Sequence, residues 1–115
     1  MNELTKDIVL PGALTIEHLE GLLEELVKPF YGVFTGRYTC CIMDRLYGRD
    51  IRSDWAVLLE SIGIKSSGAG FEYRNVPEWL SVLYNPTEYT DMPELPYHDN
   101  QRRIILVREL IKRLT

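Results

Sequence analysis

The stretch "TGRYTCCIMDRLYGRD", residues 35–50, sets the two cysteines of the chain side by side, with Arg37 four residues before Cys41 and Arg45 four residues after it. On a helix that spacing places both guanidiniums one turn from the Cys41 thiol. A thiol between two cations near the positive end of a helix has its pKa drawn down and gains thiolate character, the state in which cysteine attacks an electrophile. The same wheel turns Cys40 to the other side, onto a broad apolar face with Ile42, Met43, Leu46 and Tyr47. Cys41 is thus the thiol on which an enzyme reading would rest. Against it stands the commoner use of cysteine as a small residue at a helix contact, with Asp44 neutralising the arginines. The second reading is preferred, because the chain has only His18 and His98 to act as a base, and His18 falls on the polar face of its helix. Adjacent cysteines make a strained disulfide, so both are read as reduced thiols.

Other groupings point to binding rather than to catalysis. In "PYHDNQRR" His98 precedes Asp99, which reads as a helix N-cap. Two histidines and two adjacent cysteines never reach the spacing that puts ligands on one metal, so no metal and no cofactor is expected. "SSGAGFE" lacks the G-K-[ST] ending of a phosphate loop. "FTGRYT" is a slightly better anion site, since a Gly and an Arg at a helix N-terminus, Gly36 and Arg37 beside Tyr38, can present backbone amides and a guanidinium, against the preferred reading of ordinary capping. Seven tyrosines and nine arginines give the composition that protein interfaces favour. Tyr84, Tyr89 and Tyr97 fall in or beside "PTEYTDMPELPYHD", residues 86–99, which has three prolines, four acids and neither lysine nor arginine. A stiff acidic loop showing aromatic rings loses little entropy on binding. Arg102 follows three residues after its end.

The elements that must carry these residues are mostly helical. Pro11-Gly12 ends a short arm, and Thr15 caps a first helix whose Ile16, Leu19, Leu22, Leu23, Leu26 and Val27 form one stripe. Lys28 and Pro29 close it. A second helix is expected from Thr35 to Tyr47, stopped by Gly48 in a left-handed C-terminal cap. A third begins at Ser53 as N-cap and presents Trp55, Leu58, Leu59 and Ile62 before Gly63. Residues 63–75 read as a loop or a short strand around Phe71 and Tyr73. "VPEWLSVLY" starts a short fourth helix with Pro77 in its first turn, and a fifth runs from about Asp99 to Leu114. In that last helix Ile104, Val107, Leu110, Ile111 and Leu114 share a stripe, while Ile105 and Leu106 lie off it. Two apolar sides suggest burial on both or a homodimer contact through this C-terminal helix. The expected fold is a single, mostly α domain over residues 1–115, with about five helices and room for a minor β element.

At 115 residues the chain can bury a proper core, and 45% hydrophobic with 26% charged residues is ordinary for a globular domain. A net charge of −4 argues against generic nucleic-acid binding, which needs a basic face. No apolar run is long enough to span a bilayer and "MNELTKDIVLPG" is acidic where a signal peptide is basic, so no membrane contact and a cytoplasmic location are expected.

Gly36, Cys40 and Leu46 in the second helix, Pro96 and Tyr97 in the loop, and Arg102, Arg103, Leu106, Leu110, Ile111 and Leu114 in the last helix give a pattern. It resembles small uncharacterised helical accessory proteins of tailed phages and prophages. That resemblance implies a class, small accessory proteins of mobile elements, some of which act by binding and blocking a host component. The expected function is therefore a non-enzymatic binding module acting through tyrosines, arginines and the acidic loop. The alternatives are a pocket that binds or sequesters a phosphorylated ligand such as a nucleotide, through arginine and aromatic stacking, and a thiol enzyme using Cys41. The binding residues expected are Arg37, Tyr38, Cys41, Arg45, Tyr84, Tyr89, Tyr97, His98 and Arg102.

Overall fold

The structure is a computed structural model that describes residues 8–28, 38–67, 70–73, 76–84 and 98–115. Its elements are α1 (Ile16–Val27), α2 (Thr39–Tyr47), α3 (Arg49–Ser61), a hairpin of β1 (Ile64–Ser67) and β2 (Gly70–Tyr73), a 3-10 helix (Glu78–Tyr84) and α4 (His98–Leu114). Among the described residues there are four α-helices where five were expected. The fourth expected helix forms as a tighter 3-10 turn, entered where Leu80 N–H donates to the Pro77 carbonyl (2.9 Å). The minor β element is an antiparallel pair with Ile64 opposite Tyr73 and Ser67 opposite Gly70. Residues 8–10 pair with no strand among those described.

Helix α1 follows its stripe. Leu19, Leu22 and Leu26 are buried, with Leu23 and Val27 packed against the core. Its start is fastened unusually: Thr15 N–H donates to Nδ1 of His18 (3.0 Å), so a histidine fills the place a glutamate takes in a capping box. Nδ1 must therefore be bare of a proton, and His18 is a capping residue rather than an idle polar one.

Helix α3 starts four residues before the Ser53 cap expected for it. Gly48, at φ +100°, ends α2 by donating to the Asp44 carbonyl and opens α3 by accepting from Arg52 N–H. One glycine in a backbone region that L side chains avoid serves both ends. Ser53 is left on an exposed helix face, and Asp54 reaches back to accept from Ala13 N–H (2.9 Å), fixing the Pro11-Gly12 turn. Gly12 has φ +57°, and a Cβ there would meet the Asp54 carboxylate.

A single contiguous core joins these elements. It takes Ile8 and Leu14 from the arm, Ile42 and Met43 from α2, Ile51, Trp55, Leu58 and Leu59 from α3, and Leu80 and Leu83 from the 3-10 helix. Helix α4 lies against α1 and the 3-10 helix, and its residues 103–107 are all buried. Ile105 and Leu106 are wholly inside the chain's own core. The first of the two options for the off-stripe residues holds, and they are not available to a homodimer contact. No helix among the described residues is long and apolar enough to cross a membrane.

Candidate functional site

Helix α2 is where the chemistry-bearing residues collect, and its placement begins with Thr39. This buried hydroxyl accepts from Trp55 Nε1–H (2.9 Å), pinning the first turn of α2 to the middle of α3. Cys40 and Cys41 follow at once, both half-buried free thiols. Sequence reasoning set Cys41 between Arg37 and Arg45, a setting that would lower its pKa on the enzyme alternative. Arg37 lies outside the described residues, and Arg45 leans away to α1, where it meets Glu25 (Nη2 to Oε1, 3.3 Å). The cation beside Cys41 is Arg52 of α3, which sequence reasoning missed, and it is committed to Asp44 (2.9 Å). Burial first, then the neighbouring Cys40, push the Cys41 thiol up, and Arg52 only partly offsets them. At neutral pH Cys41 is a protonated thiol. His18 is not its base: it caps α1 and packs edge-on against the Tyr47 ring (centroids 4.5 Å apart, interplanar angle 64°).

The other expected binding residues divide by place. Tyr38, at the N-cap of α2, is half-buried with the Arg103 guanidinium 5.2 Å from its ring centroid, so it is engaged from within by a buried cation of α4. Arg102 donates from Nε to the Leu83 carbonyl (3.1 Å), tying α4 to the end of the 3-10 helix. Tyr84 ends that helix and His98 begins α4. Tyr89 and Tyr97, like Arg37 and the start expected for α2 at residues 35–37, lie outside the described residues. The acidic loop lies mostly there too.

The expected apolar face of α2 is narrower than its wheel. Thr39, Ile42 and Met43 are buried, but Leu46 and Tyr47 stand 37% and 36% exposed in the last turn. The cause is the close approach of α1: the Tyr47 hydroxyl lies over Gly21, on space a Cβ would fill, so the ring rides over α1 instead of entering the core. Arg45 and Arg49 are exposed on either side of this pair. The corner between α2 and α3 therefore shows Arg45, Leu46, Tyr47 and Arg49 in one short run. Glu25 braces it from α1, its carboxyl held below the usual carboxylate range by Lys28 (2.7 Å) and by Arg45. Elsewhere a small pocket of about 100 Å³ is lined by Glu60, Gly63, Ile64 and Lys65, with neither arginine nor aromatic ring among the described lining residues. No group of three metal-ligating side chains occurs among the described residues.

No family model, no curated protein and no solved structure matches the chain.

Proposed function

We propose that this chain is a non-enzymatic binding module, in the manner of an accessory protein that occupies and inhibits a larger host protein. The observation that carries the reading is the α2–α3 corner, where the partly exposed Leu46 and Tyr47 sit between the exposed guanidiniums of Arg45 and Arg49. Tyrosine and arginine around a small apolar centre are the residues that dominate binding energy at protein interfaces. The ring of Tyr47 is already held by His18 and α1, so little freedom is lost when a partner covers it. The acidic loop with Tyr84, Tyr89 and Tyr97 belongs to the same proposal as a second contact. The raised Cys41 thiol and the capping role of His18 speak against the thiol-enzyme alternative.

The test is quantitative capture from a host extract with the wild-type chain, with Leu46→Ala/Tyr47→Ala, and with Tyr89→Ala/Tyr97→Ala. A specific partner should be enriched by wild type and lost with the first pair, while circular dichroism shows both variants folded. Equal capture by all three would refute the surface named here. A parallel thermal-shift series with nucleoside mono-, di- and triphosphates separates the ligand-pocket alternative, since only a ligand bound by the native state raises Tm.

A further inference from the structure

We propose that His18 is a proton-operated latch at the junction of α1 and α2. The latch goes beyond the binding reading and does not depend on it, because it governs how the Tyr47 ring is held whether or not a partner covers that ring. Half-buried at the third residue of α1, the imidazole makes two contacts at once. Its Nδ1 accepts from Thr15 N–H (3.0 Å), and its ring packs edge-on against Tyr47 (centroids 4.5 Å apart). A capping box ordinarily places glutamate or glutamine there, and their oxygens remain acceptors across neutral pH. An imidazole does not, since the imidazolium carries N–H on both nitrogens. Protonation therefore sets Nδ1–H against Thr15 N–H, donor to donor, and adds a positive charge at the positive end of the helix. The Thr15 hydroxyl oxygen, 3.2 Å from Nδ1, offers the new N–H an acceptor. Taking it re-aims the ring and leaves the Thr15 amide without its cap. Tyr47 feels that turn directly, because its position is set by the imidazole and by Gly21, one turn on, under its hydroxyl.

The charged and titratable groups around the latch come from three helices. From α2, Tyr47 keeps its phenolic proton, pushed above the ordinary range by burial first and then by Glu24 and Glu25. Arg45 of α2 is bonded to Glu25, whose carboxyl is held below the usual range. From α3, Asp54 accepts from Ala13 N–H and ties down the turn that leads into Thr15. On α1 itself Glu17 is exposed beside His18.

The experiment follows the full chain by NMR from about pH 8 to about pH 5, the span in which imidazoles take up a proton. As the His18 Cε1–H signal titrates, the exchange protection factor of the Thr15 amide should fall and the cross-relaxation between the His18 and Tyr47 rings should weaken, with the same midpoint. In His18→Gln an amide oxygen fills the box at every pH, so Thr15 protection and the Tyr47 ring shifts should hold constant across the span. His98→Gln, which removes the other histidine, should leave the wild-type response intact. The proposal is overturned if His18 titrates while Thr15 protection and the ring contact stay unchanged, or if the response survives in His18→Gln.

Discussion

At the Cys41 sulfur burial, Cys40 and Asp44 act against Arg52, and their order decides its chemistry. Burial and the adjacent Cys40 raise the thiol pKa, while Arg52 lowers it with a charge already shared with Asp44. Cys40→Ser removes one raising cause and leaves burial in place. Iodoacetamide labelling of that variant across about pH 7–10 should still show half-maximal rate at or above the free-thiol value, and a midpoint well below it would restore the nucleophile reading. Thr39 is the second decisive residue here. Thr39→Val keeps the shape but strands the buried Trp55 N–H, which should cost about 1–3 kcal/mol in urea unfolding, whereas Thr39→Ser should retain most of the stability. Neither partnership is legible in sequence. Spacing along one helix identified the residues that share a turn with Cys41, but the cation that actually flanks it comes from α3, and the Thr39–Trp55 bond crosses two elements. Pair contacts of that kind depend on how helices are brought together, and periodicity is silent on it.

Helix α1 and α2 meet at an unusually close point, and a single glycine permits it. A Cβ on Gly21 would collide with the Tyr47 hydroxyl, while the ring carbon behind it lies 3.1 Å away. Gly21→Ala alone should therefore destabilise the chain or eject Tyr47, visible as lost His18–Tyr47 ring-current shifts in the NMR spectrum. In a Tyr47→Phe background the hydroxyl is gone and the ring needs only a small shift. There the same substitution should approach the gain of about 1 kcal/mol that alanine has over glycine inside a helix. The elements themselves were readable where a stripe and a cap coincide: α1 with Thr15 and Lys28 at its ends, and α4 within a residue of its start. They were misread where one residue had two uses. By type Gly48 reads as a stop alone, which starts α3 at Ser53, a good cap that the chain does not need. The fourth helix, expected from Pro77 in its first turn, winds as a 3-10 helix instead, and its buried Leu80 and Leu83, three apart, have a spacing that suits either kind.

Across the whole molecule, residues 103–107 of α4 are buried in the chain's own core, and two of the described ion pairs, Arg45–Glu25 and Arg52–Asp44, join helices at the periphery. Leu106 is fully buried, so Leu106→Ala should cost about 2–5 kcal/mol. That loss should not depend on protein concentration, whereas a dimer contact would make the unfolding midpoint rise as the chain is concentrated. The ion pairs respond to pH instead. Glu25 is held below the usual carboxylate range, first by the hydrogen bond from Lys28 and then by Arg45, and burial opposes both only in part. A carboxyl whose folded pKa is depressed stabilises the fold fully above its unfolded pKa. The unfolded chain takes up the proton first as pH falls, so that stability drains away through the folded value. The loss should therefore begin as pH falls into the free carboxylate range and continue below it. In Glu25→Gln the dependence of unfolding free energy on pH should be flatter over that window by a fraction of one proton. The difference should shrink at 1 M salt, where charges are screened beyond about 3 Å. Arg45→Gln should remove part of the same slope, because the contact it breaks is the one joining α1 to the α2–α3 corner. If both variants kept the wild-type slope, the corner would be positioned by the Tyr47–Gly21 approach alone, and its charges would be free for a partner.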